Sequence, residues 1–135
     1  MSFFASFRTH LISQYPDYHI SNIYYGYLDM TYFSFTPTIL KQQRLKIAIV
    51  FLHEAFRFEV WLAAANKHIQ QEYWELINLS SWRKYPLVSS TQGADAILEH
   101  ILIADPDFAD LDQLSHQLEA GALKFTEDVV DFLNP

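Results

Sequence analysis

Residues 45–78 read LKIAIVFLHEAFRFEVWLAAANKHIQQEYWELIN. Two apolar runs flank a tight reversal, and a polar-capped amphipathic segment follows. That order is a β-hairpin leading into a helix. With Glu54 and Ala55 in the turn, His53 faces Phe56, Phe51 faces Phe58, Ile49 faces Val60 and Ile47 faces Leu62. All but His53 are apolar, so this side of the hairpin belongs to a core. The other side pairs Leu52 with Arg57, Val50 with Glu59 and Ala48 with Trp61. A slip of one residue mixes the two sides, so the alternation itself specifies the register. Asn66 is a good N-cap for the helix, whose buried stripe is expected at Ile69, Tyr73, Leu76 and Ile77.

Upstream, Phe3, Phe4, Phe7, Leu11 and Ile12 repeat at helical spacing, and Pro16 ends that helix. The aromatic run Ile23–Phe35 suits a strand, with Gly26 at a bulge or bend. Thr36-Pro37 reads as a helix start, Thr at the N-cap and Pro at the first helical position, for a short turn through Ile39 and Leu40. Downstream, residues 79–92 contain Pro86 and read as a loop. Residues 93–104 place Ala94, Ile97, Leu98, Ile101 and Leu102 on one face, which predicts a long helix. Asp105-Pro106-Asp107 stops it. Leu111, Leu114 and Leu118 begin another helix with Gly121 as its left-handed C-cap residue, and Ala122, Phe125, Val129, Phe132 and Leu133 form a second stripe. The expected architecture is a single α+β domain over residues 1–135. It comprises a small, mainly antiparallel sheet of about three strands around the central hairpin, covered by helices, with a helical C-terminal third.

The chain has 135 residues, enough for one core without staples. Half are apolar and 16% aromatic against 19% charged, a balance that excludes a disordered chain. Without cysteine there is no thiolate nucleophile, disulfide or Cys-based metal site. The start MSFFASFRTHLISQYP lacks a basic region and makes a poor signal peptide. No window approaches ~18–20 apolar residues, so a membrane span is not expected and a soluble, cytoplasmic protein is. The net charge of −7 hides an asymmetry: residues 1–90 carry +2 and residues 91–135 carry −9. Phosphate binding needs a basic face, so nucleic acid is not an expected partner. The acids of the second part either solvate exposed helices or recognise a basic partner.

The segment GYLDMTYF (26–33) with Phe35-Thr36-Pro37 resembles an uncharacterised bacterial domain-of-unknown-function family. The resemblance continues through KIAIVF (46–51), FEVWLA (58–63), Asn66-Lys67, Pro106-Asp107-Phe108 and Phe125-x-x-Asp128-Val129-x-x-Phe132-Leu133. It implies no activity, cofactor or catalytic residue.

Arg57, Glu59 and Trp61 alternate along one strand and share a face. The two charges either pair with each other or orient a polar ligand stacked on the indole. Asp29 stands inside an apolar run. It is either solvated or, with Glu59, a second carboxylate for acid–base or metal chemistry. Nuclease cores place a lysine two residues after such an acid, whereas Trp61 follows Glu59 and Phe56 follows Glu54. The six histidines have no metal-ligand spacing: His53-Glu54 begins like a zincin signature, but Arg57 stands where the second histidine belongs. Three glycines cannot supply phosphate-cradling loops. Lys41, Arg44, Lys46 and Lys67 converge near Asn66 as a weak anion site or are a solvated edge. The aromatics Phe3, Phe4, Phe7, Tyr15, Tyr18, Tyr24, Tyr25 and Tyr27 exceed what one helix and one strand face need. They form either a large core or an interface, including that of a homodimer.

The expectation is therefore a non-enzymatic domain that binds a small polar ligand or a protein partner, without a cofactor or metal. Its ligand residues are Arg57, Glu59 and Trp61 with Asp29 and Tyr27. The alternatives are a hydrolase using Asp29 and Glu59, and an oligomeric adaptor.

Overall fold

A computed structural model describes residues 2–26 and 29–135. Along the chain run α1 (Ser2–Gln14), β1 (Tyr18–Ile20), β2 (Tyr24–Tyr25), β3 (Met30–Pro37), α2 (Thr38–Gln42), β4 (Leu45–Leu52), β5 (Arg57–Ala64), α3 (Lys67–Leu79), β6 (Leu98–Ala104) and α4 (Leu111–Leu133). The fold is α+β with a helical C-terminus, as the sequence predicts, but the sheet has six strands rather than about three. Its order is β1-β3-β4-β5-β6, with β2 also against β3, and every pairing is antiparallel.

The central hairpin has the register that its alternation demands: Ile47 pairs with Leu62, Ile49 with Val60 and Phe51 with Phe58. The ladder closes at Leu52 and Arg57, so the connection is the four residues 53–56 rather than the two expected. Phe56 takes a left-handed backbone there (φ 53), a conformation that usually falls to glycine and that a phenylalanine adopts at some cost.

The structure answers one point that the sequence leaves open, whether residues 23–35 form one strand or two, and corrects three expectations. The 23–35 run holds two strands, β2 and β3, which pair antiparallel with Tyr24 opposite Tyr32. Thr36 belongs to β3, where its buried hydroxyl accepts from Ile47 N–H at 3.2 Å; Pro37 precedes α2 and no side chain caps that helix. Residues 98–104, expected in a helix, form β6, which satisfies the backbone groups on the far side of the buried strand β5. The C-terminal stripes lie on one unbroken helix, with Gly121 inside it.

Odd-numbered residues of β3 and β4 and even-numbered ones of β5 face the helices. Phe4, Phe7 and Leu11 of α1 pack on Phe33, Phe35, Ile49, Phe51 and Phe58, together with Leu114, Leu118 and Ala122 of α4. A second cluster joins Ile47, Val60 and Leu62 to Leu40, Ile77, Tyr85, Phe125 and Val129. Two polar clasps hold the long helix. Glu119 accepts from Tyr15 Oη at 2.5 Å and lies 2.7 Å from His10 Nε2, while Asp128 accepts from Tyr85 Oη at 2.5 Å. Burial favours a neutral Asp128, but the Tyr85 hydroxyl and the Lys124 and Lys84 ammonium groups outweigh it and hold the carboxyl below its usual range.

Gly121 meets β6 at its bulge. A Cβ at this position would stand 2.7 Å from Leu102 Cδ2, so the helix approaches the sheet closely because there is no side chain. Gly121→Val is expected to cost about 1–3 kcal/mol through overpacking. Urea denaturation measures it, and an unchanged midpoint would show that Leu102 moves aside freely.

Candidate functional site

The sheet face turned away from α1 and α4 is only partly covered. Met30, Tyr32, Ser34, Leu52, Arg57, Trp61 and Glu99 are half-buried on it, and Lys46 and Ile101 are exposed. Cross-strand rows follow from the register: Tyr32–Val50–Glu59–Ile101, and beside it Ser34–Ala48–Trp61–Glu99.

Glu59 is the organising group. It is 3% exposed, and both of its oxygens are engaged: Arg57 Nε donates to Oε2 at 2.6 Å and Trp61 Nε1 to Oε1 at 2.8 Å. A buried carboxylate is tolerated when it is paired and hydrogen-bonded in this way. The sequence places these three residues on one face, and the structure brings them into direct contact. The effect is to hold the half-buried indole of Trp61 through its Nε1. Arg57 and Glu59 thus neutralise each other.

Trp61 then serves as one wall of a trough of about 340 Å³. Ala48 and Ala63 lie at its base, Met30 and Tyr32 on the far wall, and Lys46, Ala64, Asn66, Lys67, Gln70 and Asp95 around one end. The short side chain of Ala48 on the central strand makes the depression. β3 and β5 are two strand spacings apart, about 9.6 Å, and Tyr32 stands one row along from Trp61, so the two residues line the trough on a diagonal. Tyr24 stacks on Tyr32 with ring centres 5.3 Å apart and supports that wall. Asn66 caps α3 by accepting from Ile69 N–H at 2.9 Å, and Lys67 Nζ donates to Ala94 O at 2.6 Å. Of the four cations expected near Asn66, Lys46 and Lys67 do line this end; Lys41 borders a separate depression with His19.

Asp29 is exposed in the turn before β3. Sheet spacings put its backbone about 14 Å from that of Glu59. Tyr27 lies outside the described residues. The carboxylate that does neighbour Glu59 is Glu99, which the helical reading of 93–104 concealed. Burial, the charge of Glu59 and the more distant Asp95 raise the Glu99 pKa, with Arg57 acting in the opposite direction. Among the described residues no group of three or more His, Cys, Asp or Glu is placed to hold a metal ion, and no helix is long and apolar enough to cross a membrane. Of the N-terminal aromatics, Phe4 and Phe7 are core, Phe3, Tyr15 and Tyr18 pack against it, and Tyr24 and Tyr25 are exposed.

With this geometry the comparison with known proteins is direct. The sequence profile of DUF7000, a domain of unknown function, matches residues 1–133. The chain belongs to the DUF7000 family. No curated protein and no solved structure matches it. The family carries no assigned activity, so nothing in these comparisons points to a specific reaction.

Two measurements probe that face. Arg57→Ala leaves Glu59 buried without its cation and is expected to cost about 3 kcal/mol, the lower end for a broken buried pair because Arg57 itself is partly solvated. Arg57→Lys restores little, since the bond is made by the fixed Nε. Chemical denaturation of both variants checks this; equal stability of Arg57→Ala and wild type would contradict it. Glu99 has its pKa raised on folding, so its ionisation opposes folding: stability is greatest below its unfolded pKa and falls as pH rises through the folded value. Glu99→Gln is therefore expected to melt higher than wild type at pH 7, with the gain vanishing on acidification. A gain independent of pH would overturn the assignment.

Proposed function

We propose that this DUF7000 domain is a non-enzymatic binding module whose trough takes a small polar ligand with a flat ring between Tyr32 and Trp61. The observation that carries the reading is the pinned indole. A buried carboxylate, Glu59, is spent on holding one side chain at the wall of a cavity floored by alanines. Preorganisation of that kind reduces the ordering cost of binding, and a stacked ring is the ligand element that uses it. Lys46, which lines the trough, favours ring compounds that carry an acidic substituent.

A hydrolytic reading finds less support. Both oxygens of Glu59 accept hydrogen bonds already, and Asp29 lies well away in an exposed turn.

The test is a thermal-shift screen with nucleosides, nucleotides, aromatic carboxylic acids, sugars and divalent metals, on wild type, Tyr32→Ala and Lys46→Ala. A ligand at 100 times its dissociation constant stabilises by about 2.7 kcal/mol. Flat-ring compounds are expected to raise the melting temperature of wild type and not of Tyr32→Ala, with Lys46→Ala losing the preference for acidic substituents. A response confined to sugars or metals, or one that survives Tyr32→Ala, would remove the trough as the site.

A further inference from the structure

The outer edge of the sheet carries a second surface, independent of the trough. β6 is the last strand in the sheet order, with β5 on one side. At its beginning the other side is closed by a strap: Val88 N–H donates to Ile97 O at 3.0 Å, and Glu99 N–H to Pro86 O at 3.1 Å. Alternation in an antiparallel strand turns the backbone groups of Ile101 the same way as those of Glu99. No strap continues there among the described residues. Further on, a bulge opposite Phe58 and Glu59 breaks the ladder, and Asp105 (φ 48) ends the extended run. The free edge is therefore short and centred on Ile101, which is 47% exposed.

Beside it lies a depression formed by Arg57, Glu59, Pro86, Glu99, His100 and Ile101. Its charges do not cancel. Arg57 and Glu59 are paired at 2.6 Å. Burial lowers the pKa of His100, more than Glu59 raises it, and its ring stacks on Phe125. Glu99 makes no ion pair among the described residues and stands opposite Trp61, with the exposed Asp95 and Asp105 near the two ends of the strand. This is where the acidic excess of residues 91–135 reaches the sheet. A second copy of the chain is a poor occupant, because pairing two such edges sets Glu99 and its acidic neighbours against their own kind.

We propose that the Glu99–Ile101 edge of β6 accepts an extended segment of a partner protein bearing Lys or Arg at alternate positions. The added strand bonds to the outward backbone groups of Ile101, and a cationic side chain seats against Glu99. Main-chain pairing supplies affinity and the acidic depression supplies selection, the division of labour found in strand addition generally.

The probe is a fluorescein-labelled, end-capped nonapeptide of alternating Lys and Thr, followed by anisotropy. The comparison peptides carry Glu in place of Lys, or N-methyl groups on alternate backbone nitrogens. The protein variants are Glu99→Gln and Ile101→Pro; the latter removes an outward N–H that β5 does not use. The Lys peptide is expected to bind wild type and to protect the Ile101 amide from hydrogen exchange. Affinity is expected to fall about tenfold or more with either variant and with either comparison peptide. Absence of binding up to about 1 mM, or equal affinity for the N-methylated peptide, would overturn the proposal. So would an undiminished affinity of Glu99→Gln. Should Ile101→Pro fail to fold by circular dichroism, the N-methylated peptide against wild type decides the backbone part of the argument.

Discussion

The pairing of Ile47, Ile49 and Phe51 with Leu62, Val60 and Phe58 is the constraint on which the rest of the molecule depends. These six side chains are buried and meet α1 and α4. A strand has a side-chain period of two, so the same pairing turns Ala48, Val50, Glu59 and Trp61 to the opposite face. The core therefore dictates what the other face displays. A shift by one residue would put Glu59 among the phenylalanines and Phe58 in the trough, and no compensation elsewhere in the chain would restore either face.

Within that frame, a single buried carboxylate organises the uncovered face. Glu59 satisfies its two oxygens with groups two residues before and two residues after it on its own strand. The unit Arg57–Glu59–Trp61 is thus local in sequence, and its geometry follows from one strand being extended. What it borders is not local. On one side of the indole lies the alanine-floored trough reaching to α3; on the other lies the acidic depression at the β6 edge. The protein presents two surfaces of opposite character about one fixed aromatic side chain.

The sequence misled most at residues 93–104. Leu98, Ile101 and Leu102 satisfy a helical stripe, yet the segment AILEHILIA is also a short apolar run that suits a strand, and periodicity alone does not separate the two. The deciding fact is non-local: β5 needs a partner for the backbone groups on its far side. The helical reading hid Glu99, which is paired across the ladder with Trp61 and feels the charge of Glu59. Gly121 was open to a similar error. Glycine after a helical stripe suggests a cap, but here the absence of a Cβ serves the approach of α4 to Leu102.

The amino-acid sequence by itself determined the α+β class, the central hairpin and its register, the Asn66 cap and the shared face of Arg57, Glu59 and Trp61. All of these follow from relations within a few residues, namely strand alternation, a short reversal and a helix cap. Only the tertiary structure decided that β6 is a strand, that α4 runs unbroken, that Tyr32 and Trp61 line one trough and that Glu99 stands beside Glu59. Those depend on which segments, distant along the chain, satisfy each other's backbone and apolar surfaces, and a local pattern carries no information about its partner.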